Sequence, residues 1–83
     1  MSLQPVSARL RQVLADVFDI PPSDITPEHS AGSIPAWDSA GHLRALLAVE
    51  VEYGIQFDPE TMGDLTTVAL LQAEVEPTGL KQD

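Results

Sequence analysis

The clearest pattern in the chain is a helical one near its start. Leu3, Val6, Leu10, Val13, Leu14 and Val17 recur at three- and four-residue steps. Ser7, Arg9, Arg11, Gln12 and Asp16 fill the other faces, which predicts an amphipathic helix. It should end near Phe18 or Asp19, because Pro21 and Pro22 cannot continue it. From Asp19 to Trp37 the periodicity disappears and breakers accumulate: Pro21, Pro22, Pro27, Gly32 and Pro35. So long a connection in so small a domain is expected to be functional or to be pinned by its own side chains. Ile20, Ile25 and Ile34 are the expected pins, with Trp37 partly exposed at the loop's end.

A second helix is expected from Asp38 or Ser39 to about Tyr53, with Gly54 as its C-terminal stop. Leu46, Val49 and Tyr53 can share an inward face, whereas Leu43 and Leu47 fall on a neighbouring side, where at least one should meet solvent or a partner. After Ile55-Gln56-Phe57, the run Asp58-Pro59-Glu60 reads as an N-cap, a proline at the first helical position and an acid in the first turn. This third helix should be brief, to about Met62, and loosened by Gly63. Thr66 or Thr67 can cap a fourth helix carrying Val68, Leu71 and Val75, which Pro77 stops. The expected fold class is therefore all-α, with three main helices, a short third helix, a long loop between helices 1 and 2 and no strand. Residues 1–76 form the domain and 77–83 a flexible tail.

Composition narrows the picture. A chain of 83 residues with 43% hydrophobic content supports one modest core, without room for a deep enclosed active site. The absence of cysteine removes disulfides, zinc–thiolate sites and thiol nucleophiles, and fits a reducing, cytoplasmic setting. No segment approaches the roughly 20 apolar residues of a membrane span, and the start has no signal-peptide core. Thirteen acidic residues against four basic ones give a net charge of −9. That surface disfavours nucleic acid and anionic lipid and favours basic patches on other proteins, although acidity also simply keeps a small protein soluble.

Candidate chemistry concentrates in Trp37-Asp38-Ser39-Ala40-Gly41-His42-Leu43, where the long loop meets the second helix. Asp38 can cap the first turn and Ser39 would sit in that turn with its hydroxyl outward. The positive end of the helix dipole favours an anion there by roughly 0.3–1 kcal/mol. Gly41 costs a helix about 1 kcal/mol relative to alanine, and it could clear space beside the serine. Equally, Asp38-Ser39 can be an N-cap pair and nothing more, with Gly41 merely tolerated. A self-sufficient serine nucleophile needs a base, an orienting group and an oxyanion pocket. His42 could lie on Ser39's side of the helix, but no acid is marked to orient it, and His29 has no evident partner. Glu50 with Glu52, and Glu74 with Glu76, are two apart and diverge around a helix, so neither makes a carboxylate dyad. No metal site is indicated, because Asp58, Glu60 and Asp64 lack the ligand alternation of a calcium loop.

The segment Asp38-Ser39-Ala40 resembles the Asp-Ser-Leu signature of acyl carrier proteins. Tyr53-Gly54-Ile55-Gln56-Phe57 is similar to the end of that family's second helix, and Leu65-Thr66-Thr67-Val68 to the entry of its last helix, with no insertion between Asp38 and Val75. The resemblance implies a small four-helix bundle of acyl-carrier type, a monomeric non-catalytic carrier. It implies that a phosphopantetheinyl transferase, using coenzyme A and magnesium, attaches 4′-phosphopantetheine to Ser39. Asp38 and Gly41 would assist at that site, and the arm's thiol would carry an acyl or aminoacyl group as a thioester. Partners would be the transferase, a loading enzyme and a downstream synthase or transferase, reading a surface of Ala40, Leu43, Arg44, Leu47 and Glu50. Ala40 replaces the usual leucine, Arg44 stands where an acid is common, and Val51 breaks the acidic run. These departures resemble discrete carriers of specialised polyketide, peptide or modified-lipid pathways. A carrier-fold interaction module with Ser39 unmodified is the alternative.

Overall fold

The computed structural model describes residues 5–76. The chain forms α1 (Ala8–Phe18), a 3-10 turn (Pro22–Asp24), α2 (Ser39–Tyr53), α3 (Pro59–Asp64) and α4 (Val68–Val75). The expected all-α class is the observed one. Among the described residues there is no strand, and the one β-type pairing is an isolated antiparallel bridge between Ser30 and Thr67.

Side-chain chemistry at the helix ends explains most boundaries. Ser7 Oγ accepts the Leu10 N–H at 3.1 Å, so α1 starts only at Ala8. Satisfying an orphan donor of the first turn outweighs the apolar spacing that extends further back. Val6 is still buried, just ahead of the helix, while Leu3 lies outside the described residues. Asp19 closes α1 in the left-handed conformation (φ 56°), and the prolines after it bar continuation. Gly54 closes α2 at φ 65°, where a side chain would be strained. Thr67 Oγ1 caps α4 by accepting the Leu70 N–H at 3.0 Å. Helix α3 runs to Asp64, past the expected end at Met62, and Asp58 occupies its cap position without a side-chain cap bond. The stop expected from Pro77 and the 77–83 tail lie outside the described residues.

One apolar core unites these elements. Leu10, Leu14 and Phe18 of α1 meet Ala45, Leu46 and Val49 of α2, with Val68 and Leu71 of α4 completing it. The long 19–37 segment is part of this core. Ile25 and Ile34 are buried and Ile20 is partly so, as expected of pins. Backbone bonds then staple the loop to the start of α4: Ala31 N–H donates to Thr66 O at 2.8 Å and Val68 N–H to His29 O at 3.0 Å.

Trp37 corrects the sequence expectation. It is 1% exposed, not partly exposed. Its indole stacks on Phe18 with ring centroids 5.2 Å apart, and its Nε1–H donates to His42 Nδ1 at 2.9 Å. With the polar edge satisfied, full burial of the large ring carries no unmet hydrogen bond.

At the far end of α2 a polar cluster ties three helices together. The Tyr53 hydroxyl donates to Glu76 Oε2 at 2.5 Å and Ser7 Oγ donates to the same atom at 2.8 Å. Gln72, 2% exposed, accepts the Ser7 N–H at 2.8 Å. Arg9 pairs with Glu52 at 2.9 Å while its guanidinium lies 4.3 Å from the Tyr53 ring centroid. Donation from Tyr53 holds the Glu76 carboxyl below its ordinary value, and burial, reinforced by that bond, pushes the Tyr53 hydroxyl up.

Candidate functional site

Ser39 is the first residue of α2 and is exposed. Asp38, in extended backbone, uses its Oδ1 to accept the Gly41 N–H at 2.8 Å, and its carbonyl accepts the His42 N–H at 2.7 Å. The cap thereby fixes where α2 begins and sets Ser39 at the outer surface of its first turn. The turn's earliest N–H groups have no carbonyl one turn back to bond, which gives this end its partial positive charge. Beside the serine runs an open groove of about 450 Å³ lined by Ala31, Gly32, Trp37, Asp38, Ser39 and His42.

The structure gives Gly41 a different role from the clearance expected of it. The residue is buried and faces the preceding loop. A Cβ built on it would stand 1.9 Å from the Ala36 carbonyl oxygen and 3.0 Å from that carbonyl's carbon. Glycine is required because the loop backbone packs directly onto the first turn of α2.

His42 is half-buried, and both of its ring nitrogens are engaged. Indole N–H is a donor only, so Nδ1 must be the acceptor for Trp37. Nε2 then carries the proton and donates to the Met62 carbonyl at 2.9 Å. The neutral tautomer is thus assigned from its partners, and neither nitrogen is turned to Ser39 as a base. His29 also has a partner, against expectation. Its Nδ1 lies 3.0 Å from Ser33 Oγ, which donates to Ser30 O and accepts the Ser30 N–H, both at 2.9 Å. Those bonds shape the turn over residues 30–33.

The surface residues divide. Ala40 and Arg44 are exposed. Leu43 is 52% exposed and Leu47 47%, so both meet solvent, where the spacing requires at least one. Val51, 84% exposed and four residues further on, extends them into an apolar stripe along α2. Spacing alone could have shown Val51's place in that stripe. Glu50 is half-buried and its Oε2 accepts the Phe57 N–H at 2.7 Å, which holds the connector after α2. Glu52 turns the other way to Arg9, so the two acids diverge as their spacing requires. What sequence reasoning missed is the Phe18–Trp37–His42–Met62 chain of contacts under the serine. A lone tryptophan with an imidazole five residues on was its only visible sign.

Among the described residues no helix is long and apolar enough to cross a membrane. No protein-family model matches the chain. Over 75 residues, 90% of this chain and 77% of the other protein, it is 29% identical to the meromycolate extension acyl carrier protein of Mycolicibacterium aurum. The chain is thus similar to an acyl carrier protein over most of its length, a likeness with which its four-helix order agrees.

Proposed function

We propose that the protein is a non-catalytic carrier that holds an acyl or aminoacyl intermediate as a thioester on a 4′-phosphopantetheine arm attached to Ser39. The observation that carries this reading is Ser39 itself: an exposed hydroxyl at a capped helix N-terminus, with the only nearby imidazole committed to Trp37 and Met62. Such a serine is placed to receive a phosphodiester and lacks the base it would need to attack a substrate unaided.

The residues present suit the arm. Ser39 Oγ would be its attachment point, and the free donors of the first turn favour the phosphodiester's charge. The adjacent groove offers small, exposed residues at Ala31 and Gly32. When bound, the arm supplies the thiol that the cysteine-free chain lacks. A phosphopantetheinyl transferase would deprotonate Ser39, and the exposed Ala40, Leu43, Arg44 and Leu47 would face it and the loading and downstream enzymes. The similarity to a meromycolate extension carrier favours a specialised, modified-lipid pathway over polyketide or peptide assembly. The absence of a membrane-spanning helix among the described residues suits a cytoplasmic carrier.

Co-expression with broad-specificity transferases, followed by intact-mass measurement, tests this directly. The expected result is a gain of one phosphopantetheine that Ser39→Ala abolishes. An unchanged wild-type mass across several transferases would overturn it in favour of an interaction module acting through the α2 stripe.

A further inference from the structure

Helix α3 contributes no fully buried residue, only the partly buried Met62 packed against the core, and it lies beside the end of α2 that bears Ser39. Its flanks are anchored by Phe57, 9% exposed, and Leu65, 5% exposed. Between those anchors, and among the described residues, the hydrogen bond joining α2 to α3 itself is His42 Nε2–H to Met62 O. The same ring accepts the Trp37 indole N–H and lies nearly parallel to it, at 15° and 6.2 Å between centroids. Trp37 in turn stacks on Phe18 of α1. One imidazole therefore connects α3, the end of the long loop and, through the indole, α1 to the first turn of α2. No fixed-charge side chain could do this, since one contact demands an acceptor and the other a donor.

We infer that His42 is a positioning residue, a latch that holds α3 and the loop end against the first turn of α2 so that Ser39 is presented on a fixed platform. The presentation of Ser39 to a modifying enzyme rests on the carrier reading above; the latch itself does not. A short helix whose apolar contact with the core is the partly buried Met62 closes weakly, so a single bond of this kind controls a sizeable share of its closed population. An enzyme that requires the closed platform then sees an apparent affinity reduced by the fraction of molecules that are open.

Two variants dissect the ring. Asn places an acceptor near the Nδ1 position, and Gln places a donor near Nε2. Hydrogen exchange is followed by NMR at the α3 amides and at the indole N–H of Trp37, the single tryptophan. His42→Ala should speed both by about tenfold, the loss expected for one hydrogen bond at the upper end of its usual net strength. His42→Asn should restore protection of the indole but not of α3, and His42→Gln the reverse. Equal exchange in wild type and His42→Ala overturns the latch. Faster exchange that neither Asn nor Gln restores also overturns it, because ring packing and not hydrogen bonding would then be responsible. In parallel, transferase kinetics with coenzyme A should show kcat/KM for His42→Ala lowered by about three- to tenfold, mostly through KM. Unchanged kcat/KM overturns the platform role. A wild-type chain that no transferase modifies overturns the carrier reading instead, and the exchange data then decide the latch alone.

Discussion

Replacing Gly41 with alanine sets two well-known effects against each other. In an exposed helix the change would stabilise by about 1 kcal/mol, the difference in helix propensity. Here the new methyl would stand 1.9 Å from the Ala36 carbonyl oxygen, and that oxygen belongs to backbone. Relief requires a shift of more than 1 Å to reach even the 3.0 Å that real Cβ atoms essentially never pass below. The loop cannot supply it cheaply. Ala36 lies between Ile34 and Trp37, buried to 4% and 1% exposure, and the Trp37 N–H is bonded to Ile34 O at 2.8 Å. Overpacking of this sort costs about 1–3 kcal/mol, and a rigid backbone contact belongs at the upper end. After the propensity gain, a net loss of about 2 kcal/mol remains. For a domain of this size that lowers Tm by roughly 8–16 °C. Gly63 is the matched control, since a Cβ there meets nothing within 4 Å. Gly63→Ala should therefore raise stability, by about 0.4–1 kcal/mol. Urea and thermal unfolding of both variants decide the matter. A Gly41→Ala protein as stable as wild type would refute the close-packing account and return Gly41 to the role of clearance beside Ser39.

Two further outcomes follow from the helix ends. Asp38→Ala removes an engaged cap and should cost about 1 kcal/mol in urea unfolding; Asp58→Ala, at a cap position without a side-chain bond, should cost clearly less. Glu76 has a folded pKa below its ordinary value of 4.5, chiefly because Tyr53 donates to it. Its stabilising contribution is complete above that ordinary value and disappears as pH falls through the lower folded one. Wild type should thus lose stability more steeply on acidification through this range than Glu76→Gln, measured by Tm against pH. Parallel curves would exclude the cluster as a source of acid sensitivity.

Much of this architecture was legible because local chemistry and global packing agree. The caps at Asp38 and Thr67, the Gly54 stop and the outward leucines each follow from residue type and spacing, and the folded chain uses them that way. The start of α1 was not, because Ser7's competing hydrogen bond is invisible to a periodicity that runs straight through it. Trp37 and Gly41 were misread for a different reason. Their roles depend on contacts made by the irregular loop, with Phe18, His42 and the Ala36 carbonyl, and no period describes those. The Ser39 position itself was readable down to its helix turn, whereas the contact chain beneath it required the fold.

The bonds from Ser7 to Gln72 and Glu76, with Tyr53 donating to Glu76, bring Ser7 and Glu76 together at the Tyr53 end of α2. Ser39 is at the other end, fourteen helical steps of about 1.5 Å away, or roughly 20 Å. A flexible tether joined at Ser7 or Glu76 would therefore hold the domain by its base and leave the serine at the end away from the attachment. Immobilised on a bead, joined to a fluorescent reporter or strung between two other domains, the unit should remain open to an approaching enzyme. The fold is in that sense a plug with its socket and its lead at opposite ends.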